Sequence, residues 1–189
     1  MKSAQQSSIT VRDARPADEL ELLELVRGLI VHQRDSLEHF DAATLTRDVF
    51  GEDAYLHALV AERDGALIGY AFFHEAYEST YAQRGVYLCD LYVTPGARRS
   101  GAGRALVAGV AAAAKAMRRR FVWWTAKDWN EEARGLYNAL GAICEPVTAH
   151  AVIFDDFDAL AEEGGRQPTK PSSSHSSSSS EAVGQKRRR

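Results

Sequence analysis

The chain has 189 residues, 45% of them hydrophobic, and a formal net charge of −3 at pH 7. That length supports one ordinary globular domain with its own core and argues against two. The two cysteines, Cys89 and Cys144, lack CxxC spacing, so neither a disulfide framework nor a structural zinc site is indicated. The sequence shows no signal-peptide pattern and no run of roughly 18 apolar residues, so we expect a cytoplasmic protein.

The charges are unevenly spread along the chain. From Gly164 onward, six lysines and arginines stand against Glu181 alone, so the net negative charge lies in residues 1–163. The segment 164–189 is rich in serine and poor in apolar residues. We therefore expect a disordered basic tail there and a folded domain over 1–163. An acidic domain argues against nucleic acid as its ligand and favours cationic small molecules.

The first half of the domain reads as a strand, a helix and a pair of strands. The segment ITVRDA predicts a short strand, and PADELELLELVRGLI predicts an amphipathic helix with Asp18 as a candidate N-cap. The stretch LHALVAERDGALIGYAFFHEA predicts two strands joined by a hairpin turn at Asp64 and Gly65.

The second half centres on a strand that is followed at once by a long helix. GVYLCDLYVTP predicts a central strand ending at Pro95, and the alanine-rich stretch from Gly103 to Met117 predicts a helix. RFVWWTA then predicts a strand, NEEARGLYNAL a short helix, and the segments 142–147 and 150–155 two closing strands. This order predicts an α/β fold, with one mixed, mostly antiparallel sheet and helices on both faces.

The turn between the central strand and the long helix, RRSGAGRAL, predicts an anion site. Gly101 and Gly103 have no side chains to screen the backbone, so successive amide N–H groups can converge on an anion at the helix N-terminus. Arg98, Arg99 and Arg104 add positive charge that suits a pyrophosphate. A plain connection is the alternative, since short glycine turns often precede helices. The spacing matches neither a Walker A loop nor a dinucleotide-binding fingerprint, which disfavours nucleotide hydrolysis and hydride transfer.

The same turn resembles the acetyl-CoA pyrophosphate loop of the GNAT acetyltransferases. The family pattern Arg/Gln-x-x-Gly-x-Gly/Ala is matched by Arg98, Gly101 and Gly103. Over residues 9–155 the chain resembles the diamine (spermidine/spermine or thialysine) branch, through FGEDAYLHALVAE, YLCDLYV, RRSGAGRAL and WNEEARGLYNALGA in that order. The resemblance implies a single domain whose sheet splays at the central strand, acetyl-CoA as co-substrate, and a homodimer.

The resemblance also assigns roles to individual residues. It implies that the backbone of Leu91, Tyr92 and Val93 pairs with the pantetheine arm, and that Asn130 contacts the same arm. It implies that Tyr137 contacts the cofactor and protonates the departing thiolate, a role that suits a phenol with a pKa near 10. Simple packing is the alternative for Tyr137. The residues implied to hold the pyrophosphate are Arg98, Arg99, Ser100, Gly101, Ala102, Gly103 and Arg104.

The base is where the chain departs from the resemblance. The polyamine enzymes use a glutamate beside an aspartate on the central strand, and here that pair reads Cys89 and Asp90. We predict that Asp90 assists deprotonation of the amine, with Glu78 acting through water, and that Asp90, Glu78 and Tyr81 bind the substrate. Cys89 is predicted to be a small packing residue. Arg34 at the end of the first helix would repel a polyamine if it pointed inward, which favours a shorter or lysine-like amine.

These observations together predict an enzyme that moves acetyl from acetyl-CoA directly to a primary amine of a polyamine, diamine or lysine-like amino acid. Two alternatives stay open. In the first, the acceptor is a protein or peptide amine. In the second, the chain is a non-catalytic module that binds an acyl-CoA and a partner, as the replacement at Cys89 suggests. The scattered histidines lack metal-ligand spacing, so we expect no metal, and we expect neither nucleic acid nor a membrane as a partner.

Overall fold

A five-stranded sheet forms the centre of the protein, for which a computed structural model describes residues 8–164. The strands are β1 Thr10–Asp13, β2 His57–Arg63, β3 Ala66–Glu78, β4 Gln83–Val93 and β5 Val122–Trp123, and they lie in the sheet in that order. Neighbouring strands are antiparallel except for β4 and β5, which run parallel. The predicted α/β fold with a mixed, mostly antiparallel sheet is therefore confirmed.

Helices cover both faces of this sheet. In the described part of the chain the α-helices are α1 Glu19–Gln33, α2 Ala42–Leu45, α3 Ala102–Ala116, α4 Glu131–Ala139 and α5 Phe154–Glu163. The second of these continues as a π-helix over Thr46–Phe50. Short 3-10 turns over Pro16–Asp18 and Pro95–Ala97 precede α1 and α3.

Two hydrophobic clusters, one on each face, hold the helices to the sheet. Consecutive side chains of a strand point to opposite faces. Phe73 accordingly packs with Leu106 of α3, whereas its neighbour Phe72 packs with Leu22 of α1. All four side chains are buried, so each helix is anchored mainly by removal of apolar surface from water.

Two local predictions for the first half of the domain, the hairpin turn and the Asp18 cap, have different outcomes. The hairpin turn is confirmed, because Asp64 and Gly65 both have positive φ angles, 56° and 80°, as the two-residue turn requires. Asp18 precedes α1 as predicted, but its side chain makes no capping bond to that helix. Its carboxylate is engaged instead by the Arg12 guanidinium and the Arg15 N–H.

A β-bulge lies in the middle of β4. Phe72 pairs with Asp90 and Phe73 pairs with Leu88, so Cys89 is an extra residue with no partner on β3. A bulge interrupts the alternation of side chains and bends the strand. Leu88 and Leu91 accordingly belong to the cluster under α3, while Cys89 packs on the α1 side.

The predicted strand over RFVWWTA is shorter than expected. Only Val122 and Trp123 pair with β4, opposite Val86 and Tyr87. Beyond Tyr87 β4 stays paired with β3, but the described residues place no strand along its other edge. The sheet therefore opens at this point, as the expected splay requires.

The chain divides into two units, Met1–Ile143 and Cys144–Arg189. In the second unit, residues 144–153 form no regular secondary structure and α5 follows. The two predicted closing strands, 142–147 and 150–155, are therefore wrong. Pro146 has no N–H for a ladder, and the acidic first turn at Asp155 and Asp156 favours the N-terminus of a helix. Apart from Gly164, the predicted disordered tail lies outside the described residues.

Candidate active site

The open edge of β4 is the starting point of the site. The Thr94 N–H donates to the Ile68 carbonyl, 2.9 Å away, so Thr94 faces the β3 side of the sheet. Because backbone groups alternate in direction along a strand, those of Leu91 and Val93 face away from β3, toward the opening. The Val93 carbonyl accepts from the Arg98 Nε at 3.2 Å. The Leu91 backbone is thus exposed to any extended ligand lying along this edge.

A cleft of about 750 Å³ follows this edge, between β4 and α4. It lies wholly within the first unit. The cleft brings together most of the residues that sequence analysis assigned to a site. Those that line it are Asp90, Leu91, Tyr92, Val93, Arg98, Arg99, Gly101, Gly103, Arg104, Asn130 and Tyr137.

The glycine turn lies at one end of the cleft. Gly101 has a φ of 93°, which glycine adopts at little cost, and α3 begins at the next residue. The Ala105 N–H donates to the Gly101 carbonyl at 2.9 Å, so the N–H groups just before Ala105 have no helical acceptor. Such groups, together with the positive end of the helix dipole, favour an anion.

Ser100 and Ala102 support the turn but do not line the cleft. The Ser100 hydroxyl donates to the Ala97 carbonyl at 2.6 Å, which closes the turn on itself. Ala102 is buried in the cluster under α3. Their side chains are therefore used for structure, and only their backbone groups remain for a ligand.

The three arginines of the turn have different surroundings. Arg98 donates to Glu132 of α4 at 2.8 Å, and Arg104 donates to the Ala139 carbonyl of α4 at 3.1 Å. Both therefore connect the turn to α4 across the cleft. Arg99 is exposed and has no hydrogen bond or ion pair within the described chain, which leaves its guanidinium available to an anionic ligand.

Helix α4 contributes Asn130 and Tyr137. Asn130 is the N-cap of α4, with its side-chain oxygen accepting from the Ala133 N–H at 3.1 Å. Tyr137 packs against Trp124, with ring centroids 5.1 Å apart, and its hydroxyl makes no hydrogen bond to another described residue. Burial raises the pKa of Tyr137 above its ordinary value. The phenol is therefore a neutral donor at neutral pH.

The bulge of β4 presents Asp90 and Cys89 to the cleft. Asp90 accepts from the Tyr70 hydroxyl at 3.0 Å, and burial raises the pKa of its carboxyl. Burial, with the nearby Asp90 charge, also raises the pKa of Cys89 to about 11. The Cys89 thiol is therefore uncharged at neutral pH and packs among apolar side chains.

The structure does not bring Glu78 and Tyr81 to the cleft. Glu78 pairs with Gln83 near the turn between β3 and β4, six residues along β3 from the partner of Asp90. Six residues of strand span roughly 20 Å. The Glu78 carboxylate accepts from the Thr80 N–H, and Tyr81 is exposed in the same turn. Within one chain, the expected relay from Glu78 to Asp90 is not formed.

The other end of the cleft is built from residues that sequence reasoning missed. The end of α1 contributes His32 and Gln33, and the segment after β5 contributes Lys127 and Trp129. Lys127 donates to the Asp35 carboxylate at 3.1 Å, which joins these two walls. Lys127 and Asp35 are 92 positions apart, so no local sequence pattern predicts the contact.

Arg34 does not line the cleft. Its guanidinium lies over the Trp129 ring, 5.7 Å from the centroid. Stacking of this kind satisfies a cation on an aromatic face. The condition under which Arg34 would repel a polyamine, an inward-pointing guanidinium, is not met.

No group of three or more His, Cys, Asp or Glu side chains within residues 8–164 is arranged to hold a metal ion. Among the same residues there is also no helix with the length and apolar character that crossing a membrane demands.

Comparison with known proteins identifies related sequences and folds. Residues 22–142 match the model of the acetyltransferase (GNAT) family. The chain is 30% identical to thialysine N-epsilon-acetyltransferase of Sus scrofa, over 85% of this chain and 99% of that one. It is 33% identical to an L-ornithine N5-acetyltransferase of Arabidopsis thaliana, over 42% of this chain and 35% of that one. A solved aminoglycoside N-acetyltransferase in complex with CoA shares the fold, with a TM-score of 0.66 at 18% identity, over 79% of this chain and 97% of that one.

Proposed function

Because the chain belongs to the GNAT acetyltransferase family, we propose that it transfers acetyl from acetyl-CoA directly to a primary amine of a small molecule. The chain is an N-acetyltransferase that depends on acetyl-CoA. The proposal of direct transfer to a small-molecule amine rests on one observation, the open edge of β4 in a cleft that also holds the anion-binding turn and Tyr137. We assign no step to a metal.

The residues present suit acetyl-CoA. The unpaired N–H groups before Ala105, together with Arg99, would hold the pyrophosphate. The Leu91 carbonyl and the Val93 N–H, which face the opening, would pair with the pantetheine arm, which carries peptide-like amide groups. Bound acetyl-CoA supplies an activated acyl thioester. Arg98 and Arg104 would support this site by holding α4 against the turn.

The acceptor class follows from the charge of the cleft and from the relatives. Asp90 is a half-buried carboxylate that lines the cleft, and it would attract an ammonium group. The relatives carry names that specify thialysine and L-ornithine, which both have a side-chain amine. We propose a diamine, a polyamine or a lysine-like amino acid as the acceptor.

The proposed chemistry requires one base and one acid. Asp90, directly or through water, accepts a proton from the substrate ammonium, and the neutral nitrogen then attacks the thioester carbonyl. The backbone N–H of Leu91 stabilises the oxyanion, the new C–N bond forms, and the C–S bond breaks. Tyr137 gives its proton to the sulfur as it leaves. The nitrogen, which is cationic after the attack, then loses its extra proton through water to the Tyr137 phenolate, and Asp90 releases its proton to solvent. No covalent intermediate on the enzyme is involved.

Replacement of Tyr137 by phenylalanine tests the assignment of the acid. With acetyl-CoA saturating and thialysine as acceptor, Tyr137→Phe should reduce kcat about a hundredfold or more, the usual contribution of a positioned general acid. Binding of CoA, measured by calorimetry, should change little because the ring remains. Tyr77→Phe, an exposed tyrosine on β3 outside the cleft, serves as the control. Unchanged kcat in Tyr137→Phe would remove this residue from the mechanism.

An acceptor panel separates the proposed function from its two alternatives. Release of CoA should be measured with polyamines, diamines, ornithine, thialysine and lysine-containing peptides. Turnover confined to the peptides would favour a protein acceptor. Tight binding of CoA without turnover of any amine would favour a non-catalytic module, which the uncharged Cys89 on β4 makes worth testing.

We further propose a cytoplasmic homodimer that uses neither nucleic acid nor a membrane as a partner. The acidic residues 1–163 support the exclusion of nucleic acid. The dimer is supported by apolar side chains that the second unit leaves exposed, among them Ile153, Phe157 and Leu160.

A further inference from the structure

The Tyr70 side chain makes a single hydrogen bond in the described chain, and that bond is to the proposed base. Tyr70 lies on β3, in the cluster beneath α1, and its side chain is fully buried. Its hydroxyl donates to the Asp90 carboxylate at 3.0 Å. A buried phenol needs a hydrogen-bond partner, and here the partner is the carboxylate that lines the cleft.

The bulge of β4 is what allows this contact. Cys89 and Asp90 are consecutive, yet both face the cluster beneath α1. The extra residue places Asp90 opposite Phe72, next to the Tyr70 pair on the same face of β3. The bulge therefore aims the carboxylate at a buried donor and at the cleft simultaneously.

The other titratable groups around Asp90 do not take over this role. On β4 the neighbours are the neutral Cys89 thiol and the Tyr92 phenol. The end of α1 contributes His32, and the far wall of the cleft contributes Tyr137 and Lys127, the latter paired with Asp35. Within the described chain, Tyr70 alone donates a hydrogen bond to the Asp90 side chain.

We propose that Tyr70 is a positioning residue that keeps the Asp90 carboxylate ionised and directed into the cleft. Burial raises the pKa of Asp90, and the hydrogen bond from Tyr70 opposes this effect by stabilising the charged form. The Tyr70 hydroxyl remains a donor across the working range, since burial, with the nearby Asp90 charge, raises its pKa well above 10. The effect of Tyr70 on the ionisation of Asp90 follows from these contacts, whereas its effect on turnover rests on the proposed function.

The ionisation of Asp90 can be measured without turnover. The carboxyl carbon of Asp90, identified by its loss in Asp90→Asn, should be titrated by NMR in the full-length protein and in Tyr70→Phe. The titration midpoint should move to higher pH in Tyr70→Phe, because the half-buried Asp90 carboxylate loses its hydrogen-bond donor. Phe73→Leu, a core substitution in the cluster on the opposite face, should lower the melting temperature without moving that midpoint. An unchanged midpoint in Tyr70→Phe would overturn the proposal.

The pH dependence of turnover provides the second arm. The acidic limb of kcat/KM should move to higher pH in Tyr70→Phe, with activity on that limb reduced about tenfold, as expected for loss of a hydrogen bond to a charged group. In an Asp90→Asn background Tyr70→Phe should have no further effect on turnover. If the NMR midpoint moves but the acidic limb of kcat/KM does not, Asp90 is not the base. The effect of Tyr70 on the ionisation of Asp90 would still hold. Absence of turnover in the unmodified protein would reject the proposed function alone.

Discussion

Arg12 and Asp18 form a shielded ion pair between β1 and the start of α1. The Arg12 guanidinium donates to both carboxylate oxygens of Asp18, at 2.7 and 2.9 Å, and the Arg15 N–H donates at 2.7 Å. Arg12 also reaches Glu62 on the neighbouring strand. The hydrogen bond from Arg12, more than any other contact, lowers the pKa of Asp18. An ion pair with several hydrogen bonds and little solvent contributes more than an exposed one.

Replacing Asp18 by asparagine should therefore lower the free energy of unfolding at pH 7 by about 1–3 kcal/mol. Because the folded pKa of Asp18 lies below its unfolded value of about 3.8, this stabilisation is complete above that pH and is lost as the pH falls through the folded pKa. Urea unfolding of both proteins at several pH values measures this pH dependence of the free energy of unfolding. Asp48→Asn, which removes an exposed pair with Arg47, should cost less than about 1 kcal/mol. Equal losses for both variants would contradict the argument.

At the scale of elements, the turn before α3 and the helix α4 act together. A Cβ added to Gly103 would approach the Leu136 Cδ2 atom to 3.0 Å, so the helices pack closely where α3 begins. Arg98 and Arg104 hold the same two elements together. Gly96, in the 3-10 turn upstream, has open space around its Cβ position and ordinary backbone angles. The two glycines thus differ in what a side chain would disturb.

Gly103→Val should weaken CoA binding by about tenfold or more, the loss expected when one charge-assisted hydrogen bond to a phosphate is disturbed. Its side chain would push against Leu136 and crowd the N–H groups that the pyrophosphate is proposed to use. Calorimetric titration with CoA measures the effect. Gly96→Ala is the matched control and should bind CoA with unchanged affinity. Normal affinity in Gly103→Val would show that the turn does not contact the ligand.

At the scale of the whole molecule, the described part of the second unit is exposed. Residues 144–164 have no buried side chain, and Phe157 and Leu160 of α5 are both more than half exposed. A helix with an uncovered apolar face is unusual in a protein that works alone.

Light scattering after size exclusion should accordingly give twice the chain mass of 20.8 kDa. Phe157→Asp should shift the protein toward the monomer because a charge would replace buried apolar surface. Asp158→Asn on the same helix should leave the dimer intact. A monomeric mass for the unmodified protein throughout the assay range would reject the dimer.

Local sequence determined much of what the structure shows. Asp64 and Gly65 specify a tight turn because few other pairs tolerate two positive φ angles. The apolar run before Pro95 and the glycine turn specify a strand followed by a helix N-terminus. The motifs of that turn and of α4 predicted membership of the GNAT family, which is confirmed. All of these depend on neighbours within a few residues.

What only the tertiary structure decided depends on residues that are distant in the chain. The closing strands were expected and are absent from residues 142–155, because a strand needs a partner edge that local alternation cannot supply. The sequence predicts a relay from Glu78 to Asp90, but the register of β3 and β4 separates the two residues. The buried donor to Asp90 is Tyr70, twenty positions away, and Lys127 meets Asp35 across 92 positions. Pairing register and a single bulge set these distances, and neither is encoded in a short stretch of sequence.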